Sequence, residues 1–106
     1  MRTIGECKAI AQEQKPAWNA LKKAMKENDI DVYRMTLQET RAAAIITVGS
    51  YPMLEEYGNT EEQKATAKRI VELPEFAAIA CNKSINIEQD SYYGGVTNSV
   101  RIRLKF

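Results

Sequence analysis

The sequence predicts an α+β fold in which several short helices pack around one buried central helix, beside a small antiparallel sheet that includes a C-terminal β-hairpin. Three patterns favour this class. Apolar residues recur at helical spacing in the first part of the chain, they alternate with polar residues near its end, and the run Thr36 to Gly49 is almost uniformly apolar or small. With 106 residues, 44% of them hydrophobic, residues 1–106 suit one domain.

The first element is a helix from Ile4 to about Gln14, with Thr3 as its N-cap. Proline is tolerated in a first helical turn, so Pro16 predicts a second helix from Pro16 to Asn28, with one kinked helix as the alternative. The predicted inner faces hold Ile4, Cys7, Ile10, Ala11, Gln14, Trp18, Leu21, Ala24 and Met25. The alternation that follows, from Asp29 to Met35, predicts a short strand that joins the sheet.

The central helix is predicted to begin at Leu37, because Thr36 and Glu39 have the spacing of a capping box. Its alanine triplet also favours a helix. The alternative is a buried strand over Ala44 to Val48, since isoleucine, threonine and valine are common in strands.

Proline and glycine then divide the chain into shorter pieces. A short helix or turn from Tyr51 to Tyr57 is expected to end at Gly58. Thr60 and Gln63 repeat the capping-box spacing and predict a helix to about Leu73, which stops before Pro74. A last short helix is predicted over 75–81, with Phe76, Ile79 and Ala80 directed inward.

The end of the sequence predicts the hairpin most directly. Ile85 and Ile87 alternate with polar residues, and so do the four apolar residues from Val100 to Phe106. The intervening residues 90–99 are rich in Tyr, Gly, Ser and Asn, which predicts a loop between the two strands.

The composition argues against most kinds of enzyme. The chain has no histidine, which removes the residue best suited to proton transfer near neutral pH, and it has no nucleotide-binding or metalloprotease motif. Two cysteines are too few for a typical zinc site, so no metal and no cofactor are predicted. Cys7 and Cys81 are interpreted as buried free thiols, with a disulfide or a catalytic thiol as the alternatives.

The predicted binding site lies in the C-terminal hairpin. Its loop has the composition of antibody recognition loops, in which tyrosine gives a large contact area and small polar residues adapt around it. Three basic residues follow on one side of the last strand, where they could track phosphates or guard a sheet edge. The partner-binding residues proposed are Tyr92, Tyr93, Asn98, Arg101, Arg103 and Lys105. Alternatively, the glycines only form the turn and the tyrosines pack back on the sheet.

These features together predict a cytoplasmic, non-enzymatic binding protein with a protein partner, and the alternative is a small nucleic-acid-binding regulator that uses the basic strand. No apolar run is long enough to span a membrane. A homodimer through the C-terminal strand, taken as a sheet edge, is a further hypothesis. In size and in lacking histidine the chain is similar to compact proteins of phages and mobile elements that block host machinery, including inhibitors of CRISPR defence, a similarity that implies an inhibitor.

Overall fold

The structure is a computed structural model that describes residues 1–49, 60–92 and 95–106, without the side chains of residues 90–92 and 95–97. Its helices are α1 (Ile4–Glu27), α2 (Thr60–Val71) and α3 (Pro74–Ala77), and its strands are β1 (Arg34–Gln38), β2 (Ala43–Thr47), β3 (Asn82–Tyr92) and β4 (Gly95–Lys105). The predicted α+β class, with an antiparallel sheet and a C-terminal hairpin, is confirmed. The element predicted over Tyr51 to Tyr57 and its end at Gly58 lie outside the described residues.

One four-stranded antiparallel sheet, in the order β1-β2-β4-β3, organises the described part of the chain. We call the face of the sheet that packs against the helices the inner face. Its apolar side chains and those of the helices form one hydrophobic core. That core contains Ala44, Ile46, Val100, Ile102 and Leu104 from the sheet, with Trp18, Leu21, Met25, Ala67 and Ile70 from α1 and α2. The opposite, outer face contributes no residue to the core. Its strand residues are Arg34, Thr36, Gln38, Ala43, Ile45, Thr47, Asn82, Ser84, Asn86, Glu88, Ser99, Arg101, Arg103 and Lys105.

The predicted central helix is wrong, because the run Thr36 to Gly49 contains most of β1, a single 3-10 turn (Glu39–Arg41) and β2. Thr36 lies within β1 opposite Ile45, so its backbone cannot cap a helix. Ala42 has a positive φ of 49°, which reverses the chain between the strands. The strand alternative over Ala44 to Val48 is the better description, because its β-branched residues pack well against neighbouring strands.

The first helix is continuous through Pro16, so the prediction of two helices is wrong. A proline removes one backbone donor, and the remaining hydrogen bonds and the buried stripe hold the helix together. Trp18, Leu21, Ala24 and Met25 are buried as predicted, whereas Ile4 is 62% exposed. The predicted Thr3 cap is confirmed and forms a complete capping box with Glu6.

A Schellman motif ends α1 and delays the first strand. The backbone N–H of Asp29 donates to the carbonyl of Lys26 at 3.2 Å, and that of Ile30 donates to the carbonyl of Met25 at 2.9 Å. Asp29 has a φ of 53°, which turns the chain back over the helix. The strand predicted over Asp29 to Met35 therefore begins only at Arg34 and continues to Gln38.

Gln63 connects α2 to β4. Its buried side chain reaches the strand, where Oε1 accepts the Val100 N–H at 2.7 Å and Nε2 donates to the Asn98 carbonyl at 3.5 Å. The two groups belong to alternate residues, which face the same side of a strand. The glutamine amide thus stands in for a peptide group of a neighbouring strand.

The remaining predicted elements differ from the structure mainly in their lengths. Phe76 and Ile79 are buried as predicted, but Ala80 is exposed because α3 ends at Ala77. The two hairpin strands pair as far as Tyr92 with Gly95, so most of the loop predicted over 90–99 is strand. Both cysteines are free thiols, Cys7 buried and Cys81 half-buried, which excludes the disulfide alternative from this structure.

Replacing Asp29 with glycine should stabilise the protein. Glycine removes the cost of a side chain at positive φ and also removes a negative charge from the C-terminal end of α1, so we expect a gain of about 1 kcal/mol in the free energy of unfolding. Urea denaturation measures this change. Asp29→Asn, which removes only the charge, should give a smaller gain. Asp31→Gly, at an exposed site without positive φ, should give none.

Replacing Gln63 with leucine should destabilise the protein by roughly 1–3 kcal/mol, because the buried Val100 N–H loses its acceptor. Gln12→Leu makes the same change at an exposed position of α1 and should shift the free energy of unfolding by less than about 0.5 kcal/mol. Equal effects of the two substitutions in denaturant unfolding would contradict this role of Gln63.

Candidate binding face of the sheet

Three of the predicted site residues lie together on the outer face. Arg101, Arg103 and Lys105 alternate along β4 and are paired on one side with β2 and on the other with β3. Since β4 is an interior strand, two earlier hypotheses are wrong: these residues do not guard a sheet edge, and a homodimer cannot form through β4 as an edge strand.

Glu88 of β3 fixes two of these basic side chains. Its carboxylate accepts two hydrogen bonds of 2.7 Å from Arg103, through Nε and Nη2, and one of 3.4 Å from Arg101. The Arg103 hydrogen bonds are the main cause of the lowered pKa of Glu88, and the same contact raises the pKa of Arg103. The pair is partly exposed, so it orients the guanidinium group more than it stabilises the fold.

A cavity of about 440 Å³ opens beside this cluster. Most of its lining strand residues belong to the outer face, and Arg41 of the 3-10 turn also lines it. The described lining residues include no carboxylate; they are Gln38, Arg41, Ala43, Ala44, Ile45, Asn82, Lys83, Ser84, Arg103, Leu104 and Lys105. The cavity therefore combines positive charge with amide and hydroxyl groups, a combination suited to an anion.

The basic residues of this region differ in how well they are neutralised. Arg103 is paired with Glu88, and the ammonium group of Lys83 is engaged elsewhere, 2.8 Å from the Phe76 carbonyl and 4.7 Å above the Phe76 ring centroid. Arg41 and Lys105 are exposed, and among the described residues neither has a carboxylate within 4 Å. Within the cavity lining, these two residues carry the charge that is open to a ligand.

The structure separates Asn98 from this cluster. Asn98 lies two residues before Val100 in β4 and therefore belongs to the inner face of the sheet. Its carbonyl accepts the hydrogen bond from Gln63. Tyr92 pairs with Gly95 through the backbone, but its side chain and the whole of Tyr93 lie outside the described residues. Of the predicted site residues whose side chains the structure describes, it brings together the three basic ones.

Sequence reasoning missed Glu88 and Arg41. Glu88 could have been found from the alternation of β3, because pairing Ile87 with Val100 places it beside the basic residues of β4. Arg41 could not be found, because the predicted central helix assigned it to another element.

The two thiols do not resemble catalytic nucleophiles. Cys7 is buried, and burial is the main cause of the raised pKa of Cys81, which disfavours the reactive thiolate. Within residues 1–49, 60–92 and 95–106, no three His, Cys, Asp or Glu side chains are grouped so that they could hold a metal ion.

Comparison of the chain with protein-family models, with curated proteins and with solved structures finds no match. None of the helices in the described ranges has the length and hydrophobicity that a membrane crossing requires. A function is therefore inferred from the chemistry of the outer face.

Replacing Glu88 with glutamine should lower stability at neutral pH by up to about 1 kcal/mol, because the two arginines lose their carboxylate. The folded-state pKa of Glu88 is lowered, so its contribution is present above the unfolded value of about 4.3 and is lost as the pH falls below it. The difference between wild type and Glu88→Gln in urea denaturation should therefore shrink in acid. Glu13→Gln, at an exposed site in the middle of α1, should behave as wild type at every pH.

Proposed function

We propose that this chain is a non-enzymatic binding protein and that its outer face holds the phosphate backbone of a nucleic acid. The observation that carries the proposal is the charge of that face. Among the described side chains of its strands, four are basic (Arg34, Arg101, Arg103 and Lys105) and one, Glu88, is acidic. Arg41 adds a further positive charge at the cavity. Such a face attracts a polyanion and releases its counterions on binding.

The polar residues of the face favour a nucleic acid over a protein. Phosphate and sugar oxygens are commonly bound by Arg and Lys together with Ser, Thr, Asn and Gln, and the outer face carries all six of these residue types. The centre of a typical protein interface is apolar and often aromatic. Among the described side chains of the outer face, the one large apolar residue is Ile45, and none is aromatic.

The geometry also suits a long, regular ligand. Lys105 and Arg103 are successive outer-face residues of β4, about 7 Å apart along the strand, which is comparable with the spacing of phosphates along one nucleic-acid strand. A sheet face presents such side chains in fixed rows, and the Glu88 contacts hold Arg103 in one orientation. The proposed contacts are to phosphate and sugar oxygens, which are the same for every base. We therefore expect the affinity to depend only weakly on base sequence.

Removing Arg41 and Lys105, two basic residues of the cavity that no described carboxylate approaches within 4 Å, should weaken binding of nucleic acid. We expect the double variant Arg41→Ala with Lys105→Ala to bind less tightly and to show a smaller salt dependence, with the slope of log K against log salt reduced by about 0.9 for each lost contact to duplex DNA. Fluorescence anisotropy with labelled duplex DNA, single-stranded DNA and RNA, from about 50 to 200 mM salt, measures both quantities.

The matched control removes two positive charges from α1. Lys22 and Lys26 are exposed on this helix, which packs against the inner face, so the double variant Lys22→Ala with Lys26→Ala should bind as wild type does. Equal losses in the two double variants would show nonspecific attraction to net charge and would contradict the proposed site. No binding to any of the three nucleic acids at about 50 mM salt would overturn the proposal and favour the protein partner predicted from the sequence.

A further inference from the structure

Within residues 1–49, 60–92 and 95–106, nothing pairs with the outer edge of β3, and its backbone groups form a regular row there. The Val100 N–H bonds to Gln63 and its carbonyl accepts the Val48 N–H, so the even-numbered residues of β4 turn toward β2. The odd-numbered residues, such as Arg101 and Arg103, then bond to Asn86 and Ser84 of β3. By the same alternation, the N–H and carbonyl groups of the intervening β3 residues point away from the sheet; these residues are Lys83, Ile85, Ile87 and Gln89.

The same edge exposes apolar side chains on the inner face. Ile85 and Ile87 are each 50% exposed, whereas their cross-strand neighbours Ile102 and Val100 are fully buried. The helices therefore cover the middle of the sheet but leave the inner face of β3 partly open. An eleven-residue edge strand with two exposed isoleucines is an unusual surface for a protein that stays alone in solution.

The lysine charge that usually protects such an edge is bound to α3 in this structure. A lysine in an edge strand normally discourages pairing, but the Lys83 ammonium group is bound to the Phe76 carbonyl and ring of α3. The opposite edge, β1, is five residues long, which leaves β3 as the longer edge of the sheet.

We propose that β3 pairs antiparallel with β3 of a second copy of this chain, around a two-fold axis at Asn86. Both strands must contribute their outward-facing residues to the hydrogen bonds, and this register places Ile85 of each copy opposite Ile87 of the other. All four exposed isoleucines then lie in direct cross-strand pairs on the inner face.

The pairing of side chains across the axis favours this register. It places Ser84 opposite Glu88 and Lys83 opposite Gln89, so no two like charges face each other. A two-fold axis at Ile85 would place Lys83 opposite Ile87, and one at Ile87 would place Ile85 opposite Gln89. Pairing at Asn86 keeps the two outer faces on the same side of one continuous sheet, although the inference does not depend on what those faces bind.

Sedimentation equilibrium of the full chain without nucleic acid tests the dimer. We expect wild type to show a concentration-dependent monomer–dimer equilibrium. The double variant Ile85→Lys with Ile87→Lys should raise the dissociation constant roughly tenfold or more, because it places like charges opposite one another. Ile4→Lys, the same change at an exposed position of α1, should leave the equilibrium unchanged. Monomer at every soluble concentration, or equal weakening by Ile4→Lys, would overturn the proposal.

Cysteine crosslinking tests the register and does not rely on a variant that disturbs the edge. On the two-fold axis, the Asn86 α-carbons of the two copies form a non-hydrogen-bonded pair about 4.5 Å apart, within the range of a disulfide. Asn86→Cys should therefore give a covalent dimer under mild oxidation. Ser84→Cys should not, because its two copies would be about 13 Å apart along the strands. Wild type controls for Cys7 and Cys81. Crosslinking of Ser84→Cys but not of Asn86→Cys would overturn the register.

Discussion

Hydrogen bonding on both sides of β4 is the constraint on which the rest of this structure depends. One side of the strand is occupied by β3, and the other is occupied in turn by β2 and by the side chain of Gln63. Its inner-face residues Val100, Ile102 and Leu104 are at most 1% exposed. Strands β2 and β3 pair with β4 directly, β1 joins the sheet through β2, and the helices contribute to the core that the inner face of β4 lines, so the position of β4 determines where the other elements can lie.

The same strand carries most of the proposed function on its other side. Because side chains alternate across a strand, fixing three apolar residues in the core also fixes Arg101, Arg103 and Lys105 on the outer face. Core packing thus supplies the rigidity that a binding surface needs to present charges in a defined row. A substitution that shifted the register of β4 by one residue would exchange the core set with the basic set.

The sequence predicted those parts of the fold in which one local pattern dominates. Alternation in Val100 to Phe106 correctly indicated a strand, and the stripe from Trp18 to Met25 correctly indicated a helix face. The stretch from Thr36 to Gly49 was misassigned because its local signals conflict. Alanines and a capping-box spacing favour a helix, but the long-range pairing with β4 outweighs them, and no local pattern reports that pairing.

The candidate site was predicted in the same uneven way. Strand geometry alone predicts that Arg101, Arg103 and Lys105 lie on one side of β4. Their position beside Glu88 and Arg41 depends on the order of the strands in the sheet, which the periodicity of the sequence does not reveal. Gln63 shows the limit most clearly. Its sequence spacing matches a helix cap, and no local pattern reports that its buried side chain accepts a hydrogen bond from a backbone N–H on a distant strand.

The place of β4 also has a consequence for how the chain folds. Ala43 pairs with Lys105, so the two halves of the sheet join only through residues that are far apart in sequence, with α2, α3 and β3 between them. Each half contains a local hairpin that can form early, but the long loop must close before the shared core exists. We therefore expect refolding to be slow for a chain of this length, with the meeting of the two hairpins as the step that sets its rate.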